Sequence, residues 1–278
     1  MSAVVRIAAT TVQEIRIARR NRWAILATLL LTAFSLSLAL FAAGQSGQVK
    51  ADTLTLTAAS LATLSVYLIP LIALLISYDA FSGEMERGTL ALALATPLNR
   101  SELFLAKFLA QIAVVGGAIL VGYGVAALAV ALPARGATAA GLAAWLRLTA
   151  TSLLLGAVFV SLGIFISALA RRTGTSAALA VGLWLLLVVL YDIALLGGLV
   201  ASGDGLFATR IFPWLVLANP ADAFRLFNLV LLDSAPVAGL DGLARNLPVP
   251  PAAVLAVLIG WLLAAVAGGI AVARRLKP

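Results

Sequence analysis

Long, uninterrupted apolar segments alternate with shorter polar ones along this chain. Each apolar segment exceeds the roughly 18 residues that a helix requires to cross a membrane. Because apolar residues run continuously in them and do not alternate with polar ones, they predict helices and not barrel strands. We therefore predict an all-α polytopic membrane protein with a single transmembrane domain, residues 1–278. Its six spans are expected at about 23–43, 56–78, 108–132, 145–170, 176–200 and 251–273.

The first 22 residues predict an amphipathic helix that precedes the first span. At about 100° per residue, one side gathers apolar residues and the opposite side carries charges. The apolar side holds Val4, Val5, Ile7, Ala8, Val12, Ile15 and Ala18, and the polar side holds Arg6, Gln13, Glu14, Arg16 and Arg20. A basic amphipathic helix beside a membrane lies in the interface, so we expect an anchor there.

A second polar segment, residues 201–248, separates the fifth and sixth spans. It contains an apolar stretch at 211–232, but the polar residues and prolines inside this stretch would be expensive in lipid. Asn219, Pro220 and Asp222 supply a helix cap, a proline at the first helical position and an acid in the first turn. We predict a short amphipathic helix at the membrane surface and no seventh span.

The distribution of basic residues predicts the orientation of the chain. Thirteen of the 19 Lys and Arg residues fall in 1–22, 79–107, 171–175 and the C-terminal tail. Cytoplasmic loops retain Lys and Arg, so this side is predicted to be cytoplasmic together with both termini. Segment 201–248 is then expected on the opposite side, the periplasmic one in a bacterium.

Composition agrees with a membrane protein and excludes several kinds of site. Hydrophobic residues make up 63% of the chain and charged residues 11%, with a mean hydropathy of +1.12, whereas soluble domains carry roughly 25% charged residues. The net charge of +8 is explained by orientation, so we expect no nucleic acid partner. The chain has no Cys or His, and its two methionines are Met1 and Met85. We therefore expect no disulfide, no bound metal and no catalytic residue.

The polar segment 79–107 contains a Gly-x-x-x-x-Gly spacing, from Gly83 to Gly88. A phosphate-binding loop needs Lys next, and Thr89 stands there instead. The chain is therefore not expected to bind ATP, and any ATP hydrolysis would belong to another subunit. Asn99 and Glu102 predict a variant capping box that starts the helix leading into the third span.

Asp192 is the acid that lies well inside a predicted span. Counted from Ser176 at 1.5 Å per residue, it is roughly 24 Å from the start of the fifth span, near the outer interface. An intramembrane acid is a functional candidate. At this depth it could also reach water or pair with Tyr191, and the sequence leaves these alternatives open.

Residues 79–107 resemble the cytoplasmic loop of type-2 ABC (ATP-binding cassette) permeases. In that family, a Gly-Glu-x-Glu-x-Gly-Thr-Leu segment precedes a Thr/Ser-Pro-x-x-Arg turn, and the loop presses on the ATPase subunit. The resemblance implies that ATP and Mg²⁺ are bound by a partner ATPase, with no cofactor in this chain, and that residues 1–22 form the elbow helix of such permeases, which also contacts the ATPase. The residues implied in ATPase coupling, together with those of the next cytoplasmic turn, are Gly83, Glu84, Met85, Glu86, Arg87, Gly88, Thr89, Thr96, Pro97, Arg100, Arg171 and Arg172.

Further stretches are similar to the NosY family of permeases, which serves maturation of nitrous-oxide reductase; the likeness departs at Arg87. These stretches are Tyr78–Ala80, Tyr191–Asp192, Leu217–Asp222, Arg225–Leu229 and Leu247–Pro250. The resemblance implies a homodimer in the bacterial inner membrane with two cytoplasmic NosF-like ABC ATPases and a periplasmic, β-helical NosD-like protein. The assembly would serve the copper–sulfide cluster of the reductase. The residues expected to contact the periplasmic partner are Asn219, Pro220, Asp222, Arg225 and Asn228.

The sequence leaves the transported species open. A copper channel would require thiolate, thioether or imidazole ligands, which the predicted spans lack. The remaining alternatives are export of a sulfur species, mechanical transmission to the periplasmic partner, and export of an unrelated lipid, peptide or drug. The small number of polar side chains in the spans favours transmission.

Overall fold

The computed structural model describes residues 2–18, 22–45, 53–95, 98–131, 138–202, 205–230 and 250–276, and these residues form helices without any strand. Six of the helices in these residues are long and apolar enough to cross a membrane: α2 (Arg22–Gln45), α3 (Thr53–Ser77), α6 (Arg100–Ala131), α7 (Ala139–Leu169), α8 (Thr173–Ser202) and α11 (Pro251–Ala273). The predicted all-α fold with six spans is confirmed. In chain order the helices are α1 (Ala3–Ala18), α2 (Arg22–Gln45), α3 (Thr53–Ser77), α4 (Ser82–Glu86), α5 (Leu90–Leu94), α6 (Arg100–Ala131), α7 (Ala139–Leu169), α8 (Thr173–Ser202), α9 (Phe212–Ala218), α10 (Pro220–Val230) and α11 (Pro251–Ala273).

Helices α3 and α7 form the centre of the bundle and pack against each other along their length. Helix α2 packs on α6, α11 packs on α7, and α1 lies along the beginning of α6. The outer helices expose many large apolar side chains, such as Leu29, Leu186 and Leu263. Lipid chains can cover such side chains at no cost, so the bundle has its core in α3 and α7 and its apolar surface on α2, α8 and α11.

The close approach of α3 and α7 depends on a glycine. A Cβ atom built on Gly163 of α7 would lie 1.8 Å from Oγ and 2.9 Å from Cβ of Ser77 at the end of α3. The Ser77 hydroxyl is buried and donates a hydrogen bond to the carbonyl of Ala73 at 2.6 Å, so it fills the space that a side chain at 163 would need. Small residues at helix crossings allow such approach in lipid, where no hydrophobic force drives helices together.

The segment after α8 forms a helical hairpin whose second helix is buried in the bundle and whose first helix is half-exposed. A π-helical turn, Phe207–Ile211, leads into α9, and α10 begins at Pro220, where the sequence predicts a helix start. The Asn219 side chain accepts a hydrogen bond from the Ala221 amide at 2.9 Å, which confirms the predicted cap.

The position of α10 corrects the prediction of a helix at the membrane surface. Helix α10 is buried against α3, α7 and α11. Trp261 lies ten residues after the beginning of α11 at Pro251. Its indole N–H donates a hydrogen bond to the carbonyl of Ala218 at 2.8 Å. The polar residues that seemed too expensive for lipid are therefore satisfied inside the protein. Residues 231–249, which include most of the Leu247–Pro250 stretch, lie outside the described residues.

We predict that Gly163→Ala destabilises the protein because the added methyl group must displace Ser77 or separate α3 from α7. Overpacking of this kind costs about 1–3 kcal/mol. The measurement is the thermal unfolding temperature of the purified protein in detergent, which should fall by several degrees. Gly117→Ala in α6 is the matched control, because no heavy atom lies within 4 Å of a Cβ there. Equal unfolding temperatures for the two variants would contradict the close-approach explanation.

Candidate functional site

The segment that follows α3 folds onto the end of α7. We call residues 78–95 the inner segment; it contains α4 and α5. The amides of Phe81 and Ser82 both donate to the hydroxyl oxygen of Ser167 at 2.9 Å. These amides belong to the start of α4, where no helical carbonyl is available to them, so the serine of α7 caps the short helix. The Phe81 ring stacks on Phe104 of α6 with a centroid distance of 6.5 Å.

Within the inner segment, residues 86–89 form an exposed turn, which consists of Glu86, Arg87, Gly88 and Thr89. Gly88 has φ of +69°, in the left-handed region that glycine adopts without a Cβ clash. The Thr89 amide then donates to the carbonyl of Glu84 at 2.9 Å and closes the turn. This turn is an exposed part of the predicted coupling sequence, which a soluble protein can contact.

The inward part of the segment is held by a buried lysine. Lys107 of α6 is 3% exposed, and its Nζ lies 2.8 Å from Oε1 of Glu14 and 2.6 Å from Oε1 of Glu84. A buried ammonium group is costly unless it is paired, and here two carboxylates pair with it. The same group lies 5.7 Å from the centroid of the Phe81 ring, where a cation–π attraction adds to the pairing. Helices α1, α4 and α6 are thereby joined at one point.

The position of Glu84 corrects one expectation. Glu84 and Glu86 are both predicted to belong to one surface for the ATPase. The structure separates them, because Glu84 is turned to Lys107 while Glu86 is exposed. Gly83 is buried and Met85 is partly buried. Among the seven predicted coupling residues from Gly83 to Thr89, only Glu86 to Thr89 are exposed. Contact of these four with an ATPase remains a prediction.

A second ion pair holds α1 against α6. The guanidinium of Arg6 donates to Glu102, with Nη2 to Oε1 at 2.6 Å and Nε to Oε2 at 3.3 Å. These hydrogen bonds raise the pKa of Arg6 and lower the pKa of Glu102, so both partners stay charged. Glu102 also accepts from the Asn99 amide at 3.0 Å, which confirms that Glu102 caps the start of α6 as predicted.

The turn between α7 and α8 lies directly beside the inner segment. Arg171 and Arg172 form this turn and are exposed. Glu86 accepts hydrogen bonds from the Thr173 amide, at 2.9 Å, and from the Thr173 hydroxyl. Ser176 of α8 donates to the carbonyl of Tyr78. The structure thus brings the two arginines of the sequence prediction next to the exposed turn.

The remaining predicted coupling residues lie elsewhere. Arg100 begins α6 and donates to the carbonyl of Arg274 at 3.0 Å, which links α6 to the end of α11. Thr96 and Pro97 lie outside the described residues.

A second polar cluster lies toward the other end of the helices. Arg225 of α10 contacts Asp192 of α8 through two nitrogens, at 3.2 and 3.3 Å, and also pairs with Asp222 of its own helix. Asn219 donates from Nδ2 to the carbonyl of Leu187 at 2.6 Å. This carbonyl lies in a π-helical turn of α8, Leu185–Leu190, where the helical hydrogen bonding is rearranged.

The residues predicted to contact a periplasmic partner form this cluster, and they are buried. Asn219, Asp222 and Asn228 are each 2% exposed. Asn228 donates from Nδ2 to the Thr151 hydroxyl of α7 at 2.9 Å, and Pro220 is also buried. Within this chain they bind the hairpin to the bundle, so the exposed surface expected from these five residues is not observed. The physical reason is that amide and charged groups at this depth find partners on α7 and α8.

Five residues that hold the two polar clusters together are not among the site residues predicted from the sequence: Arg6, Glu14, Lys107, Thr151 and Thr173. Lys107 carries a recognisable signal, since an isolated charge at the start of a long apolar run requires a partner. Glu14 is the acid on the polar side of the amphipathic helix, but no pattern in the sequence relates it to Lys107, 93 residues away.

Comparison with known proteins gives a consistent result over almost the whole chain. The family described as "ABC-2 family transporter protein" matches residues 9–275. The chain is 44% identical over 249 residues to a Pseudomonas aeruginosa protein named "Probable ABC transporter permease protein NosY", covering 89% of this chain and 90% of the relative. A Stutzerimonas stutzeri protein of the same name is 40% identical over 246 residues, covering 87% and 88% of the two chains.

We predict that Lys107→Met strongly destabilises the junction of α1, α4 and α6. Loss of the ammonium leaves Glu14 and Glu84 facing each other without a cation, and breaking a buried ion pair costs about 3–5 kcal/mol. The readout is the thermal unfolding temperature together with the rate of proteolysis within α1. Arg16→Met, at an exposed position of α1, is the control and should change neither. An unchanged unfolding temperature in Lys107→Met would contradict the assigned role.

Proposed function

Because the chain belongs to the ABC-2 family of transporter proteins and is a multi-pass permease subunit of the inner membrane, we propose that it transmits movement from a cytoplasmic ATPase to a periplasmic partner. The ATPase would bind ATP and Mg²⁺, since this chain lacks the lysine of a phosphate loop. Two copies of this chain, two NosF-like ATPases and one β-helical NosD-like protein would form the assembly. Its purpose would be maturation of the copper–sulfide cluster of nitrous-oxide reductase.

One observation supports transmission: helix α8 is bonded to both polar clusters. At its beginning, Thr173 donates to Glu86 of the inner segment. Further along, Leu187 accepts from Asn219, and Asp192 pairs with Arg225 of the hairpin. Asp192 follows Thr173 by 19 positions, which is about 28 Å along a helix at 1.5 Å per residue. A displacement at the inner end therefore has a direct route to the hairpin.

The proposed sequence of events uses this route. The ATPase contacts the exposed turn Glu86–Thr89 and the neighbouring Arg171 and Arg172, and it changes position as it binds and hydrolyses ATP. The turn moves α8 through the Glu86–Thr173 bonds. Because Leu187 and Asp192 of α8 are bonded to Asn219 and Arg225, the α9–α10 hairpin shifts with α8. The periplasmic partner, bound to residues beyond the hairpin, receives the movement.

The polar groups within the bundle favour transmission over export through the chain. Tyr123 is fully buried, and its hydroxyl is hydrogen bonded to both Ser65 and Ser152. Asn228 and Thr151 bond to each other. Because these groups are satisfied by one another, they do not offer ligands to a passing ion or sulfur species. Export of a sulfur species along the seam of two protomers is the competing function that the experiment must distinguish.

We predict that Asp192→Arg and Arg225→Asp each abolish reductase maturation while the ATPase subunit stays bound. Each single variant places like charges together in a buried site, at a cost of about 3–5 kcal/mol, and releases the hairpin from α8. The double variant restores an opposite-charge pair and should recover part of the maturation. The measurements are nitrous-oxide reductase activity in cells, and ATP hydrolysis by the purified complex in lipid nanodiscs.

Arg210→Asp, an exposed change just before α9, controls for altered charge in the same region and should be neutral. Chain abundance in the membrane is measured for each variant, so that loss of folding is separated from loss of transmission. Full maturation in both single variants would contradict transmission through this pair. ATP-dependent transport of a radiolabelled sulfur species into inside-out vesicles at the same rate in wild type and Arg225→Asp, with maturation preserved, would support export.

A further inference from the structure

A groove lies beside the exposed turn of the inner segment. It has a volume of about 530 Å³ and is formed by three parts of the chain: the inner segment, the end of α7, and the residues after α11. Leu90, Ala168 and Leu276 are buried and form an apolar floor. Leu169, which is 56% exposed, and Met85 extend the apolar surface to the rim. The thioether of Met85 can adapt to side chains of different shape.

Two arginines, Arg171 and Arg275, line the groove, and no acidic residue in the described part of the chain does. Both are exposed, and among the described residues neither has an ion-pair partner. The neighbouring basic residues are used differently: Arg100 donates to the carbonyl of Arg274, and Arg274 donates to the Ser101 hydroxyl at 3.0 Å. The guanidinium groups of the groove are therefore available to a ligand with carboxylate groups, with which arginine forms two parallel hydrogen bonds.

We infer that this groove binds a segment of the ATPase in which an apolar side chain lies next to Asp or Glu residues. The inference rests on the proposed function and names the surface and the chemistry of the contact. The apolar side chain would bury the floor around Leu90, and the carboxylates would pair with Arg171 and Arg275. The exposed turn would contact the same ATPase beside the groove, since Gly88 belongs to both.

The position of the groove favours a soluble protein over a phospholipid. A headgroup at the arginines would need an exposed apolar path for its acyl chains toward the middle of α7. Along α7, Ile164, Ile166, Ser167 and Ala168 are buried and Leu162 and Phe165 are half-buried, so the apolar surface that leads away from Leu169 is narrow. The groove is lined instead by residues of the exposed turn and of the ends of α7 and α11.

The experiment is a site-specific photocross-link in the intact membrane complex. A benzoylphenylalanine replaces Leu169 in the groove, and in a second variant it replaces Thr89 on the exposed turn. The chain is produced together with its ATPase in the native membrane, irradiated, purified and analysed by peptide mass spectrometry. We expect the Leu169 variant to capture an ATPase peptide that carries Asp or Glu within about three residues of the cross-link, a distance that a carboxylate side chain can cover.

The two cross-link positions separate failure of the inference from failure of the proposed function. Capture of the ATPase at Thr89, with only lipid, the chain's own tail or a second copy at Leu169, would overturn the groove inference and leave the proposed function standing. Capture of the ATPase at neither position would overturn both. Capture at Leu169 of an ATPase peptide without acidic residues would overturn the proposed chemistry of the contact.

Charge reversal provides an independent measurement. The double variant Arg171→Glu with Arg275→Glu should weaken ATPase binding by about tenfold or more at low salt, and the difference should shrink at high salt. Arg210→Glu, an exposed reversal just before α9 and outside the segments predicted to contact the ATPase, should leave binding unchanged. Substituting Lys for the acids of the captured ATPase peptide should restore binding to the double variant. Unchanged binding in the double variant, or equal loss in Arg210→Glu, would overturn the inference.

Discussion

The cost of burying a charge in an apolar bundle governs how the parts of this protein are joined. Lys107 is almost completely buried, and it is stable there because Glu14 and Glu84 reach it from two other helices. At the other end, Arg225 is held between Asp192 and Asp222 in the same way. The pairs of Lys107 with Glu14 and Glu84, and of Arg225 with Asp192, connect different helices. Helix α1, the inner segment and the hairpin therefore cannot leave the bundle without exposing an unpaired charge.

These pairings give α8 its particular position. In the apolar stretch of α8 only 17% of the residues are buried, whereas 72% are buried in the corresponding stretch of α7. Little packing therefore holds α8 to the core. Its hydrogen bonds to Glu86 and Asn219 and its ion pair with Arg225 are then a large part of what determines its place. Between these points, the Trp184 indole N–H of α8 also donates to the carbonyl of Tyr67 on α3. A helix with little packing along its length and bonds at these few points is suited to the displacement that the proposed function requires.

The exposed turn of the inner segment lies beside the groove that contains Arg171 and Arg275. The turn Glu86–Thr89 is fixed by the positive φ of Gly88 and by the bonds of Glu86 to Thr173. Beside it, Arg171 and Arg275 flank an apolar groove. The neighbouring Arg100 and Arg274 are committed to joining α6 and α11. The basic residues near this turn therefore divide into those that join helices and those without an ion pair among the described residues, although the sequence presents them alike.

The sequence alone determined the number and kind of the long helices, the amphipathic nature of α1, the cap at Asn219 and the role of Glu102 at the start of α6. These features depend on hydrophobic continuity, on periodicity and on contacts within a few residues, all of which are visible in the local order of residues. The same patterns identified Asp192 as an intramembrane acid and 79–107 as a polar segment on one side of the spans.

Only the tertiary structure decided which polar residues are exposed and which are internal. Glu84 and Glu86 are two positions apart, yet one pairs with Lys107 and the other faces outward beside Thr173. Asn219 and Asn228 suggested a surface for a partner, whereas α7 and α8 satisfy both of them inside the bundle. The physical reason is that the partner of a buried polar group lies on another helix, and the distance between two helices in space is not encoded in the spacing of residues along either one.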